Sequence, residues 1–333
     1  MSIACFGMPG RNLLENKPVI VVGERKMDRV LVSLVLPVFN EGPHLEQTIA
    51  DIVAVVERIN FEFEIIAVDD GSTDDTAAAL DRIRARHSCV TALTFSRNFG
   101  KEAAIEAGLK RARGRACIVM DADLQHPPAL LPAMLERWRE GALIVEAVKR
   151  DRTADSMFKR LSGRVFNHVF SASTGIDLRN QSDFKLLDRA VVDFYLNIPE
   201  HRKFFRGVVA WSGIPTDRLE FAVPPPPGGR RSKWSFWMLL KYSFLNMALF
   251  SYAPLLLFGA MGFLIAAGSF VVGVISAVKW FYGDSLPGFT SVILLVSFIG
   301  GLNLVYLSLL SYYIALTLDE VRRRPKYYVV KEK

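Results

Sequence analysis

The sequence predicts an α/β protein with a doubly wound, mostly parallel sheet, followed by an interfacial helix and a hairpin of two transmembrane helices. From residue 30 onward, short apolar runs alternate with segments in which apolar residues recur at helical spacing. Polar motifs follow each of the first four apolar runs. Nearer the C-terminus, no charged residue occurs in 253–278 or in 285–318. Each of these runs is long enough to cross a hydrocarbon core of about 30 Å as a helix.

The predicted strands are short and rich in β-branched residues, which is typical of strands that are buried on both faces of a sheet. Helical spacing follows each of the first three strands, as Leu45, Ile49 and Ile52 show for the first helix. Strands that alternate with helices imply a parallel sheet. The predicted strands are residues 30–37, 63–68, 89–95 and 116–120, and the predicted helices are residues 43–59, 74–87 and 101–112.

The second half of the chain is basic and less regular, and it leads into the predicted membrane region. Prolines and glycines at 224–229 indicate a stiff connector. An aromatic-rich segment that follows is predicted to lie as a helix in the membrane interface. The loop between the spans has one cation whereas the tail has several, so the positive-inside rule places both termini on the cytoplasmic side of a cytoplasmic membrane. The predicted units are a leader at 1–29, an α/β domain at 30–233, the interfacial helix at 234–251, the spans at 252–318 and a basic tail at 319–333.

Composition limits the partners of this chain. The net charge of +7 fits an anionic membrane surface or a phosphorylated substrate, and no zinc-finger spacing or RNA-binding aromatic motif points to nucleic acid. The three cysteines have no pairing or metal-ligand spacing and indicate free thiols. Residues 1–29 lack the long apolar core of a signal peptide; either they form a disordered leader or the natural start is Met27.

Polar side chains gather directly after the predicted strands. They are Asn40 and Glu41 after the first, Asp69 and Asp70 after the second, Arg97 and Asn98 after the third, and Asp121 and Asp123 after the fourth. The carboxyl ends of parallel strands meet at one edge of a sheet, and open α/β sheets bind their ligands there. The sequence therefore predicts an active site at this edge.

Asp121 and Asp123 form the sharpest of these motifs. Two carboxylates one residue apart at a strand end can direct oxygens to one divalent cation, and Mg²⁺ prefers few protein carboxylates together with substrate phosphates. Such an ion would neutralise charge as a nucleoside diphosphate leaves. An isolated Asp-x-Asp is more often a solvated turn, but its position after a buried strand favours a metal site.

Two further loops could hold a nucleotide. Asp69 or Asp70 could accept hydrogen bonds from a base or ribose, and turn and helix-capping chemistry is the alternative explanation. Pro37, Phe39 and Glu41 could frame a base, although an ordinary loop from a strand to a helix can carry the same residues.

Together these motifs resemble glycosyltransferase family 2, the inverting enzymes with the GT-A fold. The similar segments are LPVFNE at 36–41, with Phe39 where tyrosine is usual, VDDGSTDDT at 68–76, SRNFGKEAAIEAGLKRARG at 96–114 and DADLQ at 121–125. The chain is more similar still to the polyprenyl-phosphate branch, which includes dolichyl-phosphate mannosyltransferase and bacterial undecaprenyl-phosphate glucosyltransferases. SDFKLLDR at 182–189, RSKWS at 231–235 and the tail EVRRRPKYYV carry that likeness, which extends from about Val30 to the C-terminus.

The resemblance implies a GT-A-type fold and inverting transfer of a single sugar from a UDP- or GDP-linked donor to a polyprenyl phosphate of the undecaprenyl or dolichyl type. Membrane lipid is a further expected partner, and self-association of the chain is left open. The catalytic residues would be Asp183, the acidic residue near the sugar or metal, and Asp123. The implied nucleotide site contains Asp69, Asp70 and Asp121 beside the loop residues Pro37, Phe39 and Glu41, and the implied site for Mg²⁺ or Mn²⁺ contains Asp121, Asp123 and Gln125.

An acceptor phosphate is largely ionised near neutral pH, so it needs positioning and shielding from the anionic donor more than it needs a strong base. Related enzymes often carry arginines shortly before the RSKW segment, whereas this chain has Val223 followed by four prolines, and Arg230 and Arg231 would replace them. Each basic candidate could equally lie on a solvated face opposite anionic lipid. The candidates for holding the acceptor phosphate are Arg150, Arg160, Lys185, Arg206, Arg231 and Lys233.

Other functions fit parts of the sequence. A processive polysaccharide synthase of the same superfamily would need a tunnel of several spans and a Q-x-x-R-W motif, and the sequence has neither. A phosphotransferase with a catalytic Asp-x-Asp usually carries that motif after its first strand, whereas here it follows the fourth. A transferase with a non-prenyl acceptor and a catalytically silent protein that binds nucleotide or carrier lipid are left for an activity assay to separate.

Overall fold

The computed structural model describes residues 30–59, 61–123, 126–149, 181–201, 203–221, 253–282 and 288–332. The predicted leader and the predicted interfacial helix at 234–251 lie outside these residues. In chain order the elements are β1 (Leu31–Val38), α1 (Gly42–Val56), β2 (Glu62–Asp69), α2 (Thr76–Arg86), β3 (Val90–Phe95), α3 (Lys101–Arg111), β4 (Ala116–Val119), a 3₁₀ turn (Pro128–Leu130), α4 (Leu131–Arg139), β5 (Ile144–Lys149), β6 (Lys185–Asp188), α5 (Arg189–Asn197), α6 (Phe205–Trp211), β7 (Thr216–Phe221), α7 (Ala253–Phe281), α8 (Phe289–Arg322) and β8 (Val329–Glu332).

The strands of the described residues form one sheet in the order β7-β5-β6-β4-β1-β2-β3-β8. Its centre is parallel: β1 pairs with both β2 and β4, and β2 pairs with β3. β6 runs antiparallel to β4 and β5, and β8 runs antiparallel to β3. The predicted doubly wound, mostly parallel sheet is confirmed. The antiparallel strands are additions that the apolar pattern did not indicate.

The burial of the central strand β1 explains why its sequence does not alternate between apolar and polar residues. Leu34 and Leu36 of β1 belong to an apolar cluster on one face of the sheet, and Val35 belongs to a second cluster on the other face. Both faces of β1 are therefore covered, as parallel sheets require. Helix α3 lies very close to this strand, since a Cβ atom added at Gly108 would lie 2.3 Å from Cγ1 of Val35. The glycine lets α3 pack directly on the sheet, with its first residue at the carboxyl ends of the strands.

The C-terminal helices α7 and α8 expose large apolar side chains along most of their length, such as Phe263, Phe270 and Leu304. Exposed apolar surface of this extent marks contact with lipid or with another protein. Within the described residues, Phe298–Arg322 is the segment whose length and apolar composition would allow a helix to cross a membrane. The apolar part of α7, Gly259–Ile275, is shorter. One candidate span is therefore found, and the hairpin of two spans stays a prediction.

The tail after α8 returns to the sheet. Arg323 ends the helix in the left-handed conformation, with φ of 47°, and β8 then pairs along the edge strand β3. The Tyr327 ring stacks on Phe95 with centroids 4.9 Å apart, and the Lys326 ammonium lies 2.7 Å from Oε2 of Glu106 on α3. The predicted basic tail is thus divided between the end of a helix and an edge strand that fastens α8 to the α/β domain.

Candidate active site

The loops after β1 and β2 are joined by side-chain hydrogen bonds at the predicted edge of the sheet. Asn40 has a φ of 54°, a left-handed conformation that asparagine tolerates better than most residues. Its Oδ1 accepts a hydrogen bond from the Thr73 N–H at 2.9 Å, and its own N–H donates to Oγ of Ser72 at 2.9 Å. The Glu41 N–H donates to Oγ1 of Thr76 at 3.1 Å. The two predicted nucleotide loops therefore form one connected surface.

Asp70 fastens this surface to the loop after β3. Its carboxylate accepts hydrogen bonds from the N–H groups of Phe99, at 2.7 Å, and Gly100, at 2.9 Å, and the residue is only 3% exposed. Burial, opposed by these two hydrogen bonds, raises the pKa of Asp70 above its ordinary value. This placement argues against the predicted contact between Asp70 and a nucleoside, because both carboxylate oxygens are already used inside the protein. Asp70 instead fixes the backbone at the start of α3.

The other predicted nucleotide residues remain at the edge. Oδ1 of Asp69 accepts a hydrogen bond from the Ser72 N–H at 2.9 Å, which closes the turn at Gly71. Gly71 has a φ of 68°, and a Cβ atom there would lie 2.3 Å from the backbone carbon of Arg97, so the turn requires glycine. Pro37 lies within β1, and the Phe39 ring beyond it is exposed.

A charged cluster lies where β4, the segment before β6 and the start of α3 meet. We call it the Lys101 cluster; it consists of Lys101, Asp121, Asp183 and Arg206. The Lys101 ammonium lies 2.5 Å from Oδ1 of Asp121 and 2.6 Å from Oδ2 of Asp183. Arg206, near the start of α6, binds both Asp183 oxygens, with Nε 2.5 Å from Oδ1 and the second contact at 2.6 Å. The cluster brings together carboxylates that are 62 positions apart in the sequence.

Ion pairing in this cluster shifts the pKa values of Asp183 and Lys101 so that their charged forms are favoured. Burial alone would raise the pKa of Asp183, but hydrogen bonds from Arg206 and the charges of Lys101 and Arg206 outweigh it and hold that pKa well below its usual range. Burial likewise opposes the charge of Lys101, and the two carboxylates beside it raise its pKa above the ordinary value. Asp183 and Lys101 are therefore ionised near neutral pH. Glu102, the next residue on α3, differs: burial, with the nearby charge of Asp183, raises its pKa to about 7.

The loop that carries Asp121 and Asp123 is held by a hydrogen bond to His126, whose ring is stacked on Phe184. The Asp121 N–H donates to Nδ1 of His126 at 3.0 Å, and the His126 ring stacks on Phe184 with centroids 4.9 Å apart. Phe184 follows Asp183 directly, so the stack ties both acidic segments together. Asp121 and Asp123 are both partly exposed.

The donor groups of this edge fit a hard divalent cation. Carboxylate oxygens are the ligands that Mg²⁺ prefers, and Asp121 and Asp183 already converge on one cation, the Lys101 ammonium. Among the described residues no group of three histidine, cysteine or acidic side chains is arranged as a complete metal cage. A metal here would need ligands from a substrate as well. Gln125, the third predicted metal ligand, lies outside the described residues.

Lys185 is not placed to hold an acceptor phosphate, and this corrects the sequence-based expectation. Its ammonium lies 2.5 Å from Oε1 of Glu146, and the lysine and glutamate side chains are 2% and 1% exposed. Burial lowers the pKa of Lys185 in spite of Glu146. A charge enclosed in this way cannot reach a phosphate outside the domain. Of the other basic candidates, Arg206 lies in the Lys101 cluster, and the remaining ones, Arg150, Arg160, Arg231 and Lys233, lie outside the described residues.

Lys101, Glu102 and His126 were not predicted as site residues. Lys101 begins the helix that follows β3, so the rule that polar residues after strands face the ligand edge would have included it. His126 and Glu102 carry no such signal. Their positions depend on Phe184 and Phe205, which come from much later in the chain; the Phe205 N–H donates to Oε2 of Glu102 at 2.8 Å.

Known proteins are similar to this chain over nearly its whole length. Residues 33–192 match the family model described as Glycosyl transferase family 2. The chain is 34% identical to an uncharacterized glycosyltransferase of Synechocystis sp., a match that covers 90% of this chain and 94% of that protein. It is 32% identical to the prophage bactoprenol glucosyl transferase homolog of Escherichia coli, with coverage of 91% and 99%. It is 33% identical to the bactoprenol glucosyl transferase of Shigella phage SfII, with coverage of 90% and 97%.

Among solved structures, the fold is similar to glucosyl-3-phosphoglycerate synthase from Mycobacterium tuberculosis in its complex with Mn²⁺, UDP and glucosyl-3-phosphoglycerate. That match has 20% sequence identity, covers 66% of this chain and 78% of the other, and has a TM-score of 0.46.

Proposed function

Because this chain belongs to glycosyltransferase family 2, we propose that it transfers a single sugar from a nucleotide sugar to a polyprenyl phosphate at the surface of a membrane. The observation that carries the proposal is the Lys101 cluster at the carboxyl edge of the sheet, in a chain whose relatives include proteins named bactoprenol glucosyl transferase. The donor is UDP- or GDP-linked, and the product is a sugar joined to the lipid phosphate.

The donor lies across the joined loops after β1 and β2. The exposed ring of Phe39 would contact its nucleoside, with Pro37, Glu41 and Asp69 beside it; Asp69 is only 1% exposed, and its Oδ1 also accepts a hydrogen bond from the Ser72 N–H. Asp70 joins this surface to the loop after β3 by accepting hydrogen bonds from the N–H groups of Phe99 and Gly100. The diphosphate then extends toward Asp121 and Asp123, which stand at the end of β4 in the same edge.

Asp121 and Asp123, together with Gln125, would hold Mg²⁺ or Mn²⁺. When bound, such an ion would neutralise the charge that develops on the departing nucleoside diphosphate. The protein side chains position that diphosphate and keep Asp121 in place through the hydrogen bond from its N–H to His126. Two carboxylates and the phosphates of the donor satisfy the preference of a hard cation for oxygen ligands.

Transfer is a direct displacement. An oxygen of the acceptor phosphate forms a bond to the anomeric carbon, the bond from that carbon to the diphosphate breaks, and the configuration inverts. The acceptor needs no strong base, since its second pKa is about 6. Asp183 would be a poor base in any case, because Arg206 and Lys101 keep its pKa low. Its role as a catalytic residue is to stay ionised and hold the two cations beside the reacting phosphates.

The acceptor reaches this edge from the membrane. Arg206 is placed to bind its phosphate, and Arg150, Arg160, Arg231 and Lys233 are further candidates from the basic second half of the chain. Helix α8 supplies a candidate span, and arginines at its C-terminal end would face the cytoplasm under the positive-inside rule. This topology places the α/β domain and both termini on the cytoplasmic side of the membrane.

A donor screen tests the proposal. Purified full-length protein in detergent is incubated with undecaprenyl phosphate, Mg²⁺ or Mn²⁺ and a panel of UDP- and GDP-sugars, and the lipid product is identified by mass. One donor is expected to give a lipid phosphate that carries one sugar, and Asp123→Asn is expected to abolish turnover. Near-normal turnover in Asp123→Asn would contradict the proposed metal site. Failure of every donor with folded protein would contradict the prenyl acceptor and favour a different acceptor or a silent binder.

A further inference from the structure

The Lys101 ammonium occupies the point on which two acidic segments converge. It lies 2.5 Å from Oδ1 of Asp121 and 2.6 Å from Oδ2 of Asp183. Both contacts are direct charge-assisted hydrogen bonds from the ammonium to a carboxylate oxygen. A metal ion that binds Asp121 would be repelled by this ammonium, because like charges disfavour each other at such short distances. Lys101 therefore sets a positive charge directly against a ligand of the proposed metal site.

The backbone before Lys101 is held by hydrogen bonds, whereas the side chain of Lys101 is partly exposed. Buried Asp70 accepts hydrogen bonds from the N–H groups of Phe99 and Gly100, directly before Lys101, and so anchors the first turn of α3. The side chain of Lys101 is 39% exposed. Its four-carbon stem can therefore move the ammonium without moving the helix.

The two carboxylates hold the ammonium unequally. Asp183 is 6% exposed and is also bound by Arg206 through both oxygens, so its position does not depend on Lys101. Asp121 is more exposed and belongs to the proposed metal motif. The contact between Lys101 and Asp121 is thus the one that an incoming cation would break, and the contact with Asp183 would keep the ammonium nearby.

We propose that Lys101 is a built-in competitor for the divalent metal, which neutralises Asp121 in the donor-free enzyme and is displaced when the metal binds together with the donor diphosphate. This proposal rests on the proposed function for the identity of the metal motif. Lys101 makes binding of the metal alone weak, and the phosphates of the donor supply the additional ligands that shift the balance. The displaced ammonium stays beside Asp183, where it faces the reacting phosphates.

A titration with Mn²⁺ alone tests this. Full-length protein in detergent, without nucleotide or lipid, is titrated with MnCl₂, and free Mn²⁺ is measured by electron paramagnetic resonance. Lys101→Met is expected to bind Mn²⁺ about tenfold more tightly than the wild-type protein, since it removes a cation in direct contact with a ligand. Lys110→Met, which removes an exposed lysine from the same helix, is expected to leave the affinity unchanged. Lys101→Arg keeps the charge and is expected to keep the weak affinity, which protects the test against misfolding of the methionine variant.

The outcomes separate this proposal from the proposed function, because neither a sugar nor an acceptor is needed. Equal or weaker Mn²⁺ binding in Lys101→Met would overturn the competitor role, and so would equally tight binding in Lys101→Arg. A positive donor screen with unchanged Mn²⁺ binding in Lys101→Met would leave the transferase standing without the competitor. A tighter site in Lys101→Met together with a negative donor screen would support the competitor and remove the acceptor assignment.

Discussion

Two lysines of the α/β domain are paired with carboxylates, and their surroundings differ sharply. Lys101 lies at the open edge of the sheet between two acidic side chains that later elements bring together. Lys185 lies inside the domain, where β5 and β6 enclose it with Glu146. Their pKa values shift in opposite directions: burial lowers that of Lys185 in spite of Glu146, whereas two carboxylates outweigh burial and raise that of Lys101. Lys185 therefore belongs to the interior of the domain, whereas Lys101 belongs to the candidate active site.

The buried pair of Lys185 and Glu146 nevertheless helps to position Asp183 in the Lys101 cluster. Oε1 of Glu146 accepts hydrogen bonds both from the Lys185 ammonium and from the N–H of Ser182, at 2.7 Å. Ser182 and Lys185 flank Asp183, so Glu146 fixes the segment that presents this aspartate to Lys101 and Arg206. We therefore expect substitutions in the Lys101 cluster to affect mainly turnover, and substitutions of Lys185 or Glu146 to affect mainly stability.

The largest expected effect is on turnover in Asp183→Asn. The substitution keeps the shape of the side chain but removes the charge that holds Lys101 and Arg206, and we expect kcat to fall by about 10²- to 10³-fold, as for loss of one charge-stabilising group. The melting temperature should fall as well, because a carboxylate with a lowered pKa stabilises the fold when it is ionised, but the loss of turnover should be the larger effect. Steady-state kinetics with the donor from the screen measure this. Asp193→Asn, an exposed acid on α5, is the matched control. A large loss of stability with normal kcat in Asp183→Asn would reverse the comparison.

The second effect is on stability in Glu146→Gln. This change leaves the Lys185 ammonium enclosed without a counter-charge, which costs about 3–5 kcal/mol of unfolding free energy for a buried pair. Thermal unfolding of the full-length protein measures it as a lower melting temperature. Replacing both residues by methionine should recover part of the loss, because the enclosed ammonium is removed while the Ser182 N–H still loses its acceptor.

Glu46→Gln provides the control for Glu146→Gln. Glu46 pairs with Arg82 on the surface at 2.7 Å, and loss of such an exposed pair costs about 1 kcal/mol or less. If Glu146→Gln lowered the melting temperature no more than Glu46→Gln does, burial would not explain the difference between Lys185 and Lys101.

The ligand edge could be predicted from the sequence because the signals are local. Each of β1 to β4 is a continuous apolar run, and the polar residues that follow it lie within a few positions. Parallel pairing then brings these loops together whatever the rest of the chain does. Asp69, Asp121 and Asp123 were predicted to lie at this edge in this way, and their binding roles stay predictions.

The roles of Asp70 and Lys185 could not be predicted, because they depend on distant partners. Glu146 lies 39 positions before Lys185, and a lysine two residues after Asp183 has the same local sequence whether it faces a phosphate or a buried acid. Asp70 follows Asp69 in the same motif, but its partners are the N–H groups after β3, 29 and 30 positions away. Both neighbouring acids are buried, with exposures of 1% and 3%, and tertiary packing decides which hydrogen bonds each of them makes.

The edge strand β8 was missed for a different reason. Its residues, Val329–Glu332, contain two valines, but charge dominates the tail and indicated a cytoplasmic extension. The strand forms only because α8 ends at Arg322 and Tyr327 then docks on Phe95. An edge strand with so few residues has too weak a local signal to be distinguished from a loop.

The smallest expected effect concerns Glu102, which lies next to Lys101 and is only partly exposed. Its pKa is raised from 4.5 to about 7 by burial and by the charge of Asp183, so the folded protein binds this proton more tightly than the unfolded chain does. The contribution of Glu102 to stability therefore becomes less favourable as pH rises from about 4.5 to about 7, and stays so above that range. Glu102→Gln keeps an oxygen for the Phe205 N–H and removes the ionisation. We expect its melting temperature to match that of the wild-type protein near pH 5 and to exceed it by about 2–4 °C at pH 8.

Glu106→Gln, one turn further along α3, is the matched control, because it removes an acid that is paired with Lys326 at 2.7 Å. It should lower the melting temperature by a similar small amount at both pH values, because the ion pair with Lys326 is lost. A difference between Glu102→Gln and the wild-type protein that does not grow with pH would mean that Glu102 ionises in the folded protein as readily as in the unfolded chain. Glu102 would then behave like the ion-paired side chains of the Lys101 cluster and not like the buried Lys185.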